Sequence, residues 1–98
     1  MSDDWGFAPP FKADEALAGL KRSLRELGLA EREGRFERRG VAIARVAVDG
    51  ATIAAALVRK PSRTSPEWQA RTLKSGADVR DFVAHVKKQL AAWSDRDE

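Results

Sequence analysis

The chain contains no cysteine and no tyrosine, and only one histidine. Without cysteine there is no disulfide, no thiolate metal site and no cysteine nucleophile. A single imidazole, His85, cannot assemble a conventional histidine metal set. Long apolar runs are missing as well. The longest, Ile53 to Val58, falls far short of the roughly 20 residues that a membrane-spanning helix needs. The opening Met1-Ser2-Asp3-Asp4 is acidic where a secretory signal would be basic, so the expected location is cytoplasmic, with no membrane partner. Gly34 and Gly40 stand too far apart for a phosphate-binding loop and lack its Lys-Ser/Thr, and no serine sits in a nucleophile-elbow pattern. Carboxylates cluster only in the two tails. The reading leans away from an enzyme and implies no cofactor and no metal.

What is present suits one small folded domain: 98 residues, 43% hydrophobic and 34% charged. The net charge of +3 hides a stronger asymmetry, because both tails are acidic and the body from Trp5 to Ser94 carries +7. The excess lies in Lys21 to Arg45, with eight basic and four acidic residues, and in Arg59 to Lys74, with five and one. A basic body attracts phosphate backbones or acidic proteins, although an excess this modest also suits a solvated, salt-laced surface. Twelve arginines against six lysines, with seventeen alanines, match the bias of a GC-rich bacterial genome.

Three regions follow from the pattern: an extended arm at 1–12, one domain at 13–94 and an acidic tail at 95–98. Pro9-Pro10 forbids a regular helix in the arm and favours a polyproline-like course. Its Trp5, Phe7 and Phe11 are costly to leave in water, so packing of Trp5 or Phe11 on the body is expected. A first helix is predicted over Ala13 to Leu27, where Leu17, Leu20, Leu24 and Leu27 form one stripe and Gly28 supplies a left-handed stop. From Arg35 the period changes to two. Arg35 to Arg39 reads as a short strand before Gly40, and Val41 to Val48 and Ala51 to Val58 flank Asp49-Gly50. That dipeptide predicts a two-residue hairpin with Val48 opposite Ala51 and Val46 opposite Ile53. Glu67 to Leu73 reads as a further strand with Trp68 inward. Ser75 caps a last helix over Gly76 to Trp93, with Asp78 in a near capping box and Val79, Phe82, Val83, Val86, Leu90 and Trp93 on its apolar face. The expected fold is therefore two-layer α+β, of order α-β-β-β-β-α, with an antiparallel sheet of three to four strands and two helices packed on one face.

Other features carry less chemistry. His85 reads as an ordinary histidine on the polar side of the last helix, and Ser62-Arg63-Thr64-Ser65 as a solvated loop ahead of an anion-binding one. The order also occurs in double-stranded-RNA-binding domains. That family places lysines where this chain has Ser75-Gly76-Ala77-Asp78, so the likeness is one of order alone.

The sheet face turned away from the helices is the candidate binding surface. Strict alternation assigns it Arg35, Arg39, Val41, Ile43, Arg45, Val58, Lys60 and Arg71. Such a face is too apolar for simple solvation and too basic for a second core. The first expectation is a non-enzymatic binding module that acts by self-association, as a homo-oligomer, or by contact with a partner protein, through an apolar centre with an arginine rim. The alternative is nucleic-acid binding along the basic face, which strict alternation leaves without an aromatic stacking platform. Coverage of the face by the arm is the third reading.

Overall fold

The computed structural model describes residues 11–62 and 64–96, apart from the side chains of 94–96. Two helices and five strands follow in the order α1 (Ala13–Glu26), β1 (Ala30–Arg32), β2 (Arg35–Arg38), β3 (Val41–Asp49), β4 (Thr52–Val58), β5 (Trp68–Leu73) and α2 (Gly76–Arg96). The sheet is antiparallel and its spatial order is the chain order. The two-layer α+β arrangement is as expected, with one strand more than the upper figure.

Helix α1 buries Ala13, Leu20 and Leu24, while Leu17 and Leu27 sit half-buried at the margins of the stripe. It ends because Gly28 adopts a φ of +91°, which lets two backbone bonds close the last turn. The N–H of Gly28 donates to Arg25 O at 2.9 Å and that of Leu29 to Leu24 O at 3.4 Å, a Schellman stop that turns Leu29 into the core. At the start of α2, Ser75 Oγ accepts from the Asp78 N–H (3.2 Å), and the Asp78 carboxylate accepts from the Lys74 N–H (2.9 Å). The capping box forms one residue wider than its usual span. Helix α1 lies chiefly over β3 and reaches β1 and β4, and α2 packs beside α1 and on β5. The core between the layers holds Leu20, Leu24, Phe36, Ile53, Leu73, Phe82 and Val86, all essentially inaccessible. Phe11 packs against it from the end of the arm, whereas Trp5 and Phe7 lie outside the described residues.

Three two-residue turns build the sheet. Glu33-Gly34 and Arg39-Gly40 both have two positive φ angles, the type I′ geometry that suits strand twist. The third turn differs from expectation. Val48 pairs with Ile53, Asp49 with Thr52, and Val46 with Ala55 rather than Ile53. The loop residues are thus Gly50-Ala51, with glycine first at φ +63°, and the Thr52 hydroxyl donates back to Asp49 O at 3.0 Å. A displacement of two residues preserves the face that each side chain takes, so Val46, Ile53, Ala55 and Leu57 still reach the core.

Gly34 is tied to the sheet twice. Its carbonyl accepts from the Val46 N–H at 3.0 Å, and a Cβ built on it would stand 3.0 Å from Val46 O. Gly28 also has a positive φ but meets nothing within 4 Å. Gly34→Ala should therefore cost about 1–3 kcal/mol of stability, and clearly more than Gly28→Ala. Equal losses for the two variants in denaturant unfolding would show that close approach to β3 is not the constraint.

Candidate functional site

A bulge decides which side chains occupy the outer face, the one turned away from the helices. Phe36 pairs with Ala44 but Glu37 pairs with Ala42, so β3 carries Ile43 as an extra residue. From that point the strand runs out of phase with strict alternation. Ile43 and Ala44 are both buried in the core between the layers, although they are consecutive. Val41 pairs with Arg38, whose guanidinium donates to Leu90 O of α2 at 3.4 Å, and so it belongs with the helix side. Ala42 moves to the outer face beside Glu37. Val41 and Ile43 therefore leave the predicted binding surface.

The far end of the sheet departs from expectation in the same way. Trp68, Ala70 and Thr72 pair with Val58, Ala56 and Ala54 on the outer face, while Gln69, Arg71 and Leu73 pair with Leu57, Ala55 and Ile53. Trp68 points outward and Arg71 belongs to the helix side, the reverse of the sequence reading. Leu73, 1% exposed, takes the core position that Trp68 was expected to fill. Arg39 lies in the β2–β3 turn and Lys60 beyond the end of β4, both exposed at the perimeter.

What the outer face does hold is ordered. Arg32, Arg35 and Arg45 pair in succession across β1, β2 and β3, and the row continues through Ala56 and Ala70. Neighbouring strands lie about 4.8 Å apart, so the three guanidiniums rise from adjacent steps of one line. Arg45 reaches across small Ala56 to place its guanidinium 4.7 Å from the centre of the Trp68 ring. Ala56 and Val58, the ladder partners of Arg45 and Trp68, are both buried, and Val58 joins the main hydrophobic core. Two acidic residues stand by the row: Glu37 accepts from Arg35 Nε at 3.3 Å, and Glu33 of the β1–β2 turn lies beside Arg32. Between the arginines and β5 lies an open depression of about 650 Å³, floored by Ala47, Ala54, Ala56 and Ala70. Sequence reasoning missed Arg32, because an exposed Ala30-Glu31-Arg32 has no strand-like alternation. The dipeptide Glu33-Gly34, a polar residue before glycine as in the two later turns, was the mark that could have revealed it.

Two basic residues of α1 are engaged on the other side of the sheet. Lys21 and Arg25 of α1 both hold Glu31 of β1, at 3.0 Å each, on the helix side. Ser62 Oγ accepts from the Thr64 and Ser65 N–H groups at 3.4 and 3.0 Å, which commits the hydroxyl to its own loop. A smaller depression of about 370 Å³ is lined by Arg38, Val41, Ile43, Pro61 and Trp93. His85 is half-buried on α2. Among the described residues no group of three or more potential ligands gathers as a metal site, and no helix is long and apolar enough to cross a membrane. No protein-family model, no curated protein and no solved structure matches the chain.

The hydrogen bond from Lys21, aided by the nearby Arg25 charge, holds the Glu31 carboxyl below its ordinary value of 4.5 against a smaller opposing effect of burial. A carboxylate lowered on folding contributes stability that is complete above the unfolded value and fades as the pH falls through the folded one. Glu31→Gln should thus lower stability at pH 7 by a few tenths to about 1 kcal/mol. It should also flatten the acid limb of the stability curve below about pH 4.5. A variant with an unchanged acid limb would count against the pairing.

Proposed function

We propose that the chain is a binding module whose working surface is the outer face of the sheet and whose ligand is a single-stranded nucleic acid. The carrying observation is the row Arg32–Arg35–Arg45 ending on the Arg45–Trp68 stack, beside an alanine floor that leaves the sheet open. Three guanidiniums in line supply fork-shaped donors for successive phosphates. The Arg45 guanidinium, held over the Trp68 ring, offers with it a platform on which a base can stack. An alanine floor admits a flat ring where larger side chains would fill the space. Arg39, Arg59 and Lys60 at the perimeter add to the attractive field.

Contact with a partner protein through the same face was the first expectation, on the strength of an apolar centre of Val41, Ile43 and Val58. Two of those three now lie with the core or the helix side, and Val58 is 2% exposed. The remaining surface is mainly alanine and arginine, which favours a flat, anionic ligand over an apolar one.

The salt dependence of binding separates the two. With three phosphates engaged, the affinity for a short fluorescent oligonucleotide should fall with a log–log slope of about −2. Arg45→Ala should weaken binding by roughly 5- to 150-fold, the equivalent of ~1–3 kcal/mol for one stacked base. Lys87→Ala, on α2, should leave it unchanged. Failure to bind any single strand at low salt would overturn the proposal, and association with a protein that holds or tightens as salt rises would restore the other reading.

A further inference from the structure

Strand β5 stands at one side of the sheet. At the opposite side β1 has only three residues, too few to seat a long partner strand. β5 has six, without proline or bulge. The Arg59 N–H donates to Glu67 O at 3.0 Å, which fixes the phase of the ladder. Residues 67, 69, 71 and 73 turn their backbone groups towards β4, and Trp68, Ala70 and Thr72 turn theirs away from the sheet. Among the described residues no strand pairs with that edge.

An antiparallel copy of β5 has to join residues of this set to one another, which leaves three registers: centred on Ala70 all three join, and centred on Gln69 or on Arg71 two of them do. Centred on Arg71, the pairing sets two arginines side by side in a close pair, a repulsive contact. Centred on Ala70, it opposes Glu67 to Leu73. Centred on Gln69, it sets Glu67 opposite Arg71 on both sides of the axis, two complementary charge pairs. The same register puts Trp68 opposite Ala70 on the outer face, so that each indole fills the space beside a methyl group. Gln69 and Arg71 are exposed on the helix side, so the helical layer leaves this stretch of edge accessible.

We propose that two copies of the chain pair through β5, antiparallel and centred on Gln69, to form a continuous ten-stranded sheet. The axis stands perpendicular to the sheet, so both outer faces lie on one side of it. Each Arg45–Trp68 stack then stands beside Ala70 of the other copy, with an arginine row at each end of the sheet. The pairing follows from β5 alone and stands whether or not the outer face takes a nucleic acid.

The chain has no cysteine, so an introduced one reports the register directly. In the Gln69-centred register residue 69 faces itself in a non-hydrogen-bonded pair, with Cα atoms about 4.5 Å apart, inside the range that a disulfide spans. Gln69→Cys should give a covalent dimer on mild oxidation, whereas Ala70→Cys, offset from its own copy, should link far more slowly. Sedimentation of the unmodified chain should show a concentration-dependent dimer, lost in Arg71→Glu and regained in the double variant Glu67→Arg/Arg71→Glu. Faster linkage at 70 than at 69 would overturn the register. A chain that stays monomeric at every concentration reached, with no linkage at 69, would overturn the pairing itself.

Discussion

Backbone alternation across the sheet governs everything that the outer face presents, and one inserted residue resets it. Ile43 opposes no partner of its own on β2, so the side chains before it exchange faces with respect to those after it. This moves two branched apolar residues to the core and helix side and sends Ala42 outward. The hydrophobic contribution from Ile43, fully buried, offsets the disturbance of the ladder. The outer face then lacks a greasy centre, and the Arg32–Arg35–Arg45 row stands clear on it.

The same alternation explains why β4 is buried on both sides over its second half. On the helix side Ala55 and Leu57 belong to the core. On the other side Ala56 and Val58 are buried as well, next to their ladder partners Arg45 and Trp68. Arg45 thus meets two neighbours: it pairs with Ala56 across the ladder and carries its guanidinium over the Trp68 ring. The alanines around it keep the approach shallow. Small side chains, three aligned cations and one ring make a surface for a flat polyanion, on the proposed reading.

Much of the fold was legible in the residues. Leu20 and Leu24, the Gly28 stop, the Ser75 cap and the apolar face of α2 are local signals, and local signals survive tertiary packing. The hairpin near Gly50 was legible as well, and its register error was harmless to the faces because it was an even number of residues. The candidate site was less legible, since it depends on phase. Trp68 and Leu73 are five residues apart and so cannot both face inward on one strand. The larger side chain was the natural choice for the core, yet Leu73 fits between the layers and Trp68 packs on Val58 outside. Arg71 changed sides with it. The bulge at Ile43 left no mark in composition, and the brief polar β1 had no alternation to reveal it. Arg35 and Arg45 were found because they lie on the regular side of the bulge.

The central claim is that the outer face, and no other surface, meets the ligand. Backbone and indole NMR shifts recorded while a short single-stranded oligonucleotide is added test it residue by residue. The account predicts changes confined to Arg32, Arg35, Arg45, Ala47, Ala54 and Ala70 and to the Trp68 indole, with the helical layer silent. Changes centred on Arg38, Lys87 and Trp93, or no changes at all, would contradict it.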